Sequence, residues 1–206
     1  MHKIKIAVLA SGRGSNFQAI INSVKAGQIN AELKLLITDN PNAQAVERAK
    51  KAGIATEIID KKIVSDKELF DEKILEILRK NSIELVVLAG YMRIIRSKKL
   101  LDAYKYKIIN IHPSLLPAFA GGMHAQQDAF DYGVKISGLT IHFVTSDVDH
   151  GPIIYQEAVD ISDCKSADEV AEKILKIEHQ AYKKIVNSFS LGKYIVEGKK
   201  VRYEKF

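Results

Sequence analysis

The 206-residue chain carries 31 Lys and Arg against 25 Asp and Glu, a net charge of +6, with 47% hydrophobic and 27% charged residues. That balance is ordinary for a soluble globular protein with a substantial core. No apolar run approaches the length of a membrane span, because Lys, Asp, Glu or Gly interrupts each one. The single cysteine, Cys164, cannot form an internal disulfide, which agrees with a reducing cytoplasm. The start, Met1-His2-Lys3-Ile4-Lys5, is basic and then apolar, but Ser11-Gly12-Arg13 cuts it short. It reads as the approach to a first strand and not as a signal peptide. The lysines are spread along the chain without the aromatic-basic interleaving of an RNA-binding module. The positive field therefore favours small anions over nucleic acid as partners.

Ile4 to Ala10 predicts a parallel strand buried on both faces. Next come Ser11-Gly12-Arg13-Gly14-Ser15-Asn16 and an amphipathic helix with Phe17, Ile20, Ile21 and Val24 on one face. Ser15 with Gln18 predicts a capping box. Free amides of a glycine loop at a helix start suit an anion. The glycine spacing matches neither a Walker sequence nor a dinucleotide fingerprint. Strands over 33–38, 56–59 and 84–89 alternate with helices over 43–52 and from Ser65 onward, where Leu69, Ile74, Ile77 and Leu78 form the apolar face. This alternation predicts right-handed crossovers and a mostly parallel sheet, with ligands beyond the carboxyl ends of its strands.

A strand-like run from Tyr106 to Ile109 leads into Asn110-Ile111-His112-Pro113-Ser114-Leu115-Leu116-Pro117. On an extended segment the period of two points Asn110 and His112 to the same side. An amide N–H can bind a developing oxyanion, and an imidazolium can add charge and a proton. Beyond a glycine-containing loop, Gln126 to Tyr132 predicts a short helix, and 137–145 and 153–161 predict antiparallel strands. Thr140 and His142 lie opposite Leu139, Ile141 and Phe143, and His142 reads as a satisfied core histidine. Ser166 with Glu169 caps a long helix with an inner stripe of Val170, Ile174, Ile177, Ala181 and Ile185, and a small hairpin turning at Glu197-Gly198 follows.

These motifs together carry a resemblance. Asn110 to Pro117 and Asp149-His150-Gly151-Pro152, with Leu88 to Ile94, Gly138 to Val144 and Glu178-His179, resemble the folate-dependent formyltransferase family over essentially the full length. The Gly-Ser-Asn loop narrows the likeness to its phosphoribosylglycinamide-formylating branch. The resemblance implies an α/β, Rossmann-like formyltransferase fold: a mostly parallel twisted sheet with helices on both faces and an antiparallel C-terminal part. It implies one formyltransferase domain over 1–206, with a phosphate-binding half (1–105) and a catalytic, folate-binding half (106–206). The implied reaction is formyl transfer from 10-formyltetrahydrofolate to the amine of 5-phosphoribosylglycinamide, in purine biosynthesis.

The same resemblance implies the roles. Asn110, His112 and Asp149 would be catalytic, with Asp149 holding His112 charged. Gly14, Ser15 and Asn16 would take the substrate phosphate, and Glu178 the ribose hydroxyls. Lys67, Met92, Arg93, Ile94, Ile95 and Thr145, with Asn110 and Asp149, would bind the folate. Lys67 stands where the family often has arginine and lacks its bidentate fork. The Ala118–Gln126 loop departs from the family pattern by one extra residue, which leaves the role of His124 open. No metal is called for. The expected partners are the two small substrates, without nucleic acid or membrane, for a cytoplasmic monomer or homodimer. Rival readings are a formyltetrahydrofolate deformylase, a methionyl-tRNA formyltransferase, which needs an added RNA-binding domain, and a non-catalytic binding module.

Overall fold

The computed structural model describes residues 3–60, 62 and 64–206; Met1 and His2, at the basic start of the sequence, lie outside them. The chain clusters into two compact units, the first ending at Ile109 and the second running from Asn110 to Phe206. In the first, β1 (Ile4–Leu9), β2 (Ala31–Thr38), β3 (Ala55–Ile58) and β4 (Leu85–Leu88) alternate with α1 (Ser15–Lys25), α2 (Gln44–Ala52) and α3 (Lys67–Lys80). A short α4 (Lys98–Ala103) then leads into β5 (Ile108–His112), whose last residues open the second unit. The strands run in the order β3-β2-β1-β4-β5, and β1 pairs in parallel with both β2 and β4. Strand order reverses between β1 and β4, so the crevice at their carboxyl ends is the switch point where such sheets bind ligands. Val86 and Val87 on β4, and Ile6, Ala7 and Val8 on β1, are fully shielded, as central parallel strands require.

Four local details differ from the sequence reading. Gly14, in the left-handed region at φ 66, is the N-cap of α1, and Ser15 makes no capping bond. Gln18 is held elsewhere: its Nε2 donates to Asn22 Oδ1 and its Oε1 accepts from Arg48 Nη1, so it cannot reach back. Leu69 is exposed, and Phe70 and Leu75 take the core side of α3 instead. The strand expected from Tyr106 starts at Ile108, because Tyr106 turns at φ 56 and Lys107 N donates to Tyr104 O. Finally, α4 carries no amphipathic run to reveal it. Buried Asp71 holds its start, its Oδ2 accepting from the backbone of Arg96 at 2.6 Å and Ser97 at 2.9 Å.

In the second unit β5 is followed in the sheet by β6 (Ile136–Phe143) and β7 (Ile153–Asp160), which pair antiparallel. Helix α5 (Ala125–Tyr132) ends at Gly133, φ 78. Helix α6 (Ala167–Ser188) packs on β6 and β7, and a hairpin of β8 (Gly192–Glu197) and β9 (Lys200–Lys205) follows. Ser166 Oγ accepts from Glu169 N at 3.2 Å, the expected cap of α6. Phe143 and Tyr182 are fully buried and anchor this unit's core. Among the described residues no helix is long and apolar enough to cross a membrane.

Glycine at 138 is a packing requirement: a Cβ there would lie 2.0 Å from Glu157 O and 2.9 Å from Leu115 Cδ2. Gly12, by contrast, has nothing within 4 Å of such an atom. Gly138→Ala is therefore expected to lower unfolding free energy by about 1–3 kcal/mol in denaturant titration. Gly12→Ala should stay within about 0.5 kcal/mol of the parent.

Candidate functional site

The glycine loop after β1 is pinned by its own backbone and by its neighbours. Ser11 N donates to Gly90 O at 3.0 Å, and Ser11 Oγ accepts from Met92 N at 2.9 Å. These two bonds bring the Gly12–Asn16 loop beside the Tyr91–Ile95 segment, at the carboxyl ends of β1 and β4. A Cβ on Gly14 would sit 2.9 Å from Ala45 Cβ, so both the dihedral and the space call for glycine. Ser15 opens α1 half-buried and Asn16 is buried one residue on, which sets this loop at a helix N-terminus.

The residues expected to hold the folate in this unit divide by exposure. Met92 (54% exposed) and Ile94 present apolar surface, whereas Ile95 is buried in the core. Ile95 can thus reach a ligand only through its backbone. The Arg93 guanidinium lies over the Phe70 ring, 3.9 Å from its centroid, a cation–π contact that anchors the segment. Lys67 is exposed at the first position of α3. Burial pushes the Tyr91 hydroxyl well above its ordinary range, and nearby Asp39 adds to the shift.

In the second unit the polar groups converge. His112 Nδ1 lies 3.4 Å from Asp149 Oδ2, and His142 Nε2 lies 3.5 Å from Asp149 Oδ1. Asn110 Nδ2 sits 3.3 Å from the same His142 Nε2. The other nitrogen of His112, Nε2, is 3.0 Å from Phe119 O, so both ring nitrogens face oxygen acceptors. A doubly protonated ring donates to both. Asn110 and His112 reach this cluster together because both sit on β5, two residues apart. Tyr182 on α6 shares a hydrogen bond with the backbone of Ile111, the residue between them.

The two loops around the cluster are held by their own bonds. Ser114 Oγ donates to Ala118 O at 2.6 Å, and Thr140 Oγ1 donates to Ser114 O at 2.7 Å. Leu116 N donates to Thr140 Oγ1, and Gln156 Nε2 donates to Leu116 O, each at 3.0 Å. This network ties the Pro-Ser-Leu-Leu-Pro turn to β6 and β7. The β6–β7 loop folds back so closely that a Cβ on Gly151 would lie 1.7 Å from Phe143 O, and Phe143 N donates to Pro152 O. Asp149 itself adopts φ 56, which aspartate tolerates better than most residues. Thr145 Oγ1 donates to Asp147 O in the same loop, and Lys199 Nζ from the hairpin donates to His150 O.

The Asp149 side chain is only 10% exposed, and Gly121 N donates to its Oδ2 at 3.0 Å. Burial alone would raise its carboxyl. The His142 contact, the His112 charge and the Gly121 amide outweigh that and hold it below the ordinary aspartate range. Glu178 is buried on the inner face of α6. Burial pushes the imidazole of neighbouring His179 down. Sequence reasoning set His142 aside as core; it is buried at 2%, yet it touches both Asn110 and Asp149. It also missed Phe119, which acts through a carbonyl and so leaves no side-chain signal. Among the described residues no group of three or more His, Cys, Asp or Glu is placed to hold a metal.

Comparison with known proteins identifies the family of this fold. Residues 4–186 match the formyl transferase family model. The phosphoribosylglycinamide formyltransferase of Bacillus subtilis is 44% identical over 88% of this chain and 92% of its own length. The crystal structure of glycinamide ribonucleotide transformylase 1 from Symbiobacterium toebii superposes with a TM-score of 0.93 at 40% identity, covering 98% of this chain and 94% of that one. The phosphoribosylglycinamide formyltransferase structure from Bacillus halodurans gives 0.85 at 44% identity, over 90% and 94%. A polar cluster on a β5 motif and a β6–β7 loop, in a fold shared with these proteins across nearly the whole chain, places it in the formyl transferase family.

Proposed function

We propose that the chain transfers the formyl group of 10-formyltetrahydrofolate to the amine of 5-phosphoribosylglycinamide, giving the formylglycinamide ribonucleotide. The observation that carries this reading is the convergence of Asn110, His112 and Asp149 within one compact unit. Attack of an amine on a formyl carbon makes a tetrahedral oxyanion, and catalysis requires donors aimed at that oxygen. The Asn110 amide supplies one N–H. His112 supplies a second from Nε2, where Phe119 O at 3.0 Å marks how an oxygen acceptor sits against the ring. In the reaction the oxyanion takes the place of that carbonyl. Asp149, ionised and facing Nδ1, balances the positive charge of the doubly protonated ring and orients a water that carries the proton from the attacking amine to the leaving nitrogen.

Binding follows from the same fit. The amides of Gly14, Ser15 and Asn16 at the start of α1 suit a phosphate dianion. Glu178 offers acceptors for ribose hydroxyls. The exposed apolar side chains of Met92 and Ile94 suit a pterin face, with backbone groups of Arg93 and Ile95 and the loop of Thr145 and Asp149 supplying polar contacts. Lys67 supplies a point charge for the glutamate tail.

The test is formyl transfer from 10-formyltetrahydrofolate to glycinamide ribonucleotide, followed by chromatography of both products. The parent should produce the formylated nucleotide, and His112→Ala and Asp149→Asn should each lower kcat by about 10²–10⁴. Release of free formate in place of that product would make the chain a deformylase. Asn16→Ala should raise KM for the ribonucleotide about tenfold or more while leaving KM for the folate alone.

Asp149 also predicts a pH dependence. Its folded carboxyl titrates below the unfolded one, so its stabilisation is whole above the unfolded value of about 3.9 and disappears as pH falls through the lower folded value. The difference in unfolding free energy between the parent and Asp149→Asn should therefore shrink as pH drops from about 5 toward 2. Urea titrations of both proteins across that range measure it.

A further inference from the structure

We infer that His142 is a positioning residue that sets which way the Asn110 carboxamide faces, and so aims the N–H offered to the reacting oxygen. The inference rests on the formyl-transfer reading above. The two ends of a carboxamide have the same shape and opposite chemistry: Oδ1 accepts and Nδ2 donates twice. An oxyanion site tolerates only one of the two orientations. Something must therefore distinguish the ends, and the strand geometry of β5 cannot, since it fixes only the Cα–Cβ direction.

His142 does so through its own constrained ring. Its Nδ1 lies 2.9 Å from Phe143 O, an acceptor, so Nδ1 carries the proton. Gly151 packs so closely against that carbonyl that any side chain there would collide with it. With Nδ1 donating, a ring bearing one proton presents a lone pair at Nε2. Only the NH2 end of Asn110, 3.3 Å away, can satisfy that lone pair. One N–H of Asn110 is then spent on His142, and the second is left for the substrate oxygen.

The carboxylate does not change this assignment. Asp149 Oδ1 is farther from Nε2, at 3.5 Å, and Oδ2 already receives the Gly121 N–H and faces His112. His142 is 2% exposed, so bulk solvent does not reach its Nε2.

The experiment compares His142→Leu, which removes the acceptor, with His142→Gln, whose Oε1 restores one at a similar reach. Expected are a kcat for His142→Leu lowered about 10- to 100-fold, KM values for both substrates within about twofold, and recovery of most of kcat in His142→Gln. Coupling through Asn110 further requires that Asn110→Ala/His142→Leu be no slower than Asn110→Ala alone. In ¹⁵N spectra the His142 ring should show one protonated nitrogen, Nδ1. Losses that multiply in the double variant, equal damage from Leu and Gln, or a ring protonated at both nitrogens would each overturn the proposal. Should Asn110→Ala and His112→Ala keep full turnover, the formyl-transfer site itself is wrong and this inference falls with it. Should those two lose turnover while His142→Leu keeps it, only the role of His142 is refuted.

Discussion

A carboxylate nine-tenths withdrawn from water must be met by donors or it will not stay ionised. Asp149 is met by the ring of His112 and the amide of Gly121, with the edge of His142 beside its other oxygen, and each of these comes from a different stretch of the second unit. Much of the local architecture is intelligible as the means of assembling this cluster. β5 delivers His112, the turn after it delivers Gly121, and β6 sets His142 alongside them. The loop that presents the acid can fold back on β6 because residue 151 has no side chain. Charge balance, hydrogen bonding and packing thus converge on one small volume.

The groups proposed to carry the reaction come from a strand and a tight loop braced by side chains, which is how a site is kept within the narrow tolerance that chemistry requires. Thr140 illustrates the economy of the arrangement. Its single hydroxyl donates to Ser114 O while accepting from Leu116 N and Gln156 Nε2, so one buried oxygen fixes the turn that follows His112. Tyr182 does similar service from the opposite direction at Ile111. In the first unit the equivalent brace is Ser11, whose backbone and hydroxyl both reach the segment after β4.

Much of this was legible in the sequence. The β/α alternation predicted a largely parallel sheet with an antiparallel end, and β1, β2 and β4 pair accordingly while β6 and β7 run antiparallel. The spacing of Asn110 and His112 placed them on one side of an extended segment, and β5 contains both. What stayed hidden has physical reasons. His142 sits on a strand that is buried on both faces, where a polar ring looks like filler until its partners are known. Phe119 acts through its backbone, which composition cannot reveal. Helix α4 is too short to show periodicity and starts where Asp71, 26 positions away from Ser97, holds the backbone just before the helix. The Ser15 cap failed because Gln18 had better partners across the loop, a choice made by Arg48 and invisible to local pattern.

The hairpin of β8 and β9 lies past residue 186, where the match to the shared family core ends, yet its Lys199 grips the carbonyl of His150, next to the acid. The most widely shared part of the molecule is therefore steadied by a part the family model does not cover. Transplanting only the common core between relatives would carry over every member of the polar cluster and leave behind a strut beneath one of them.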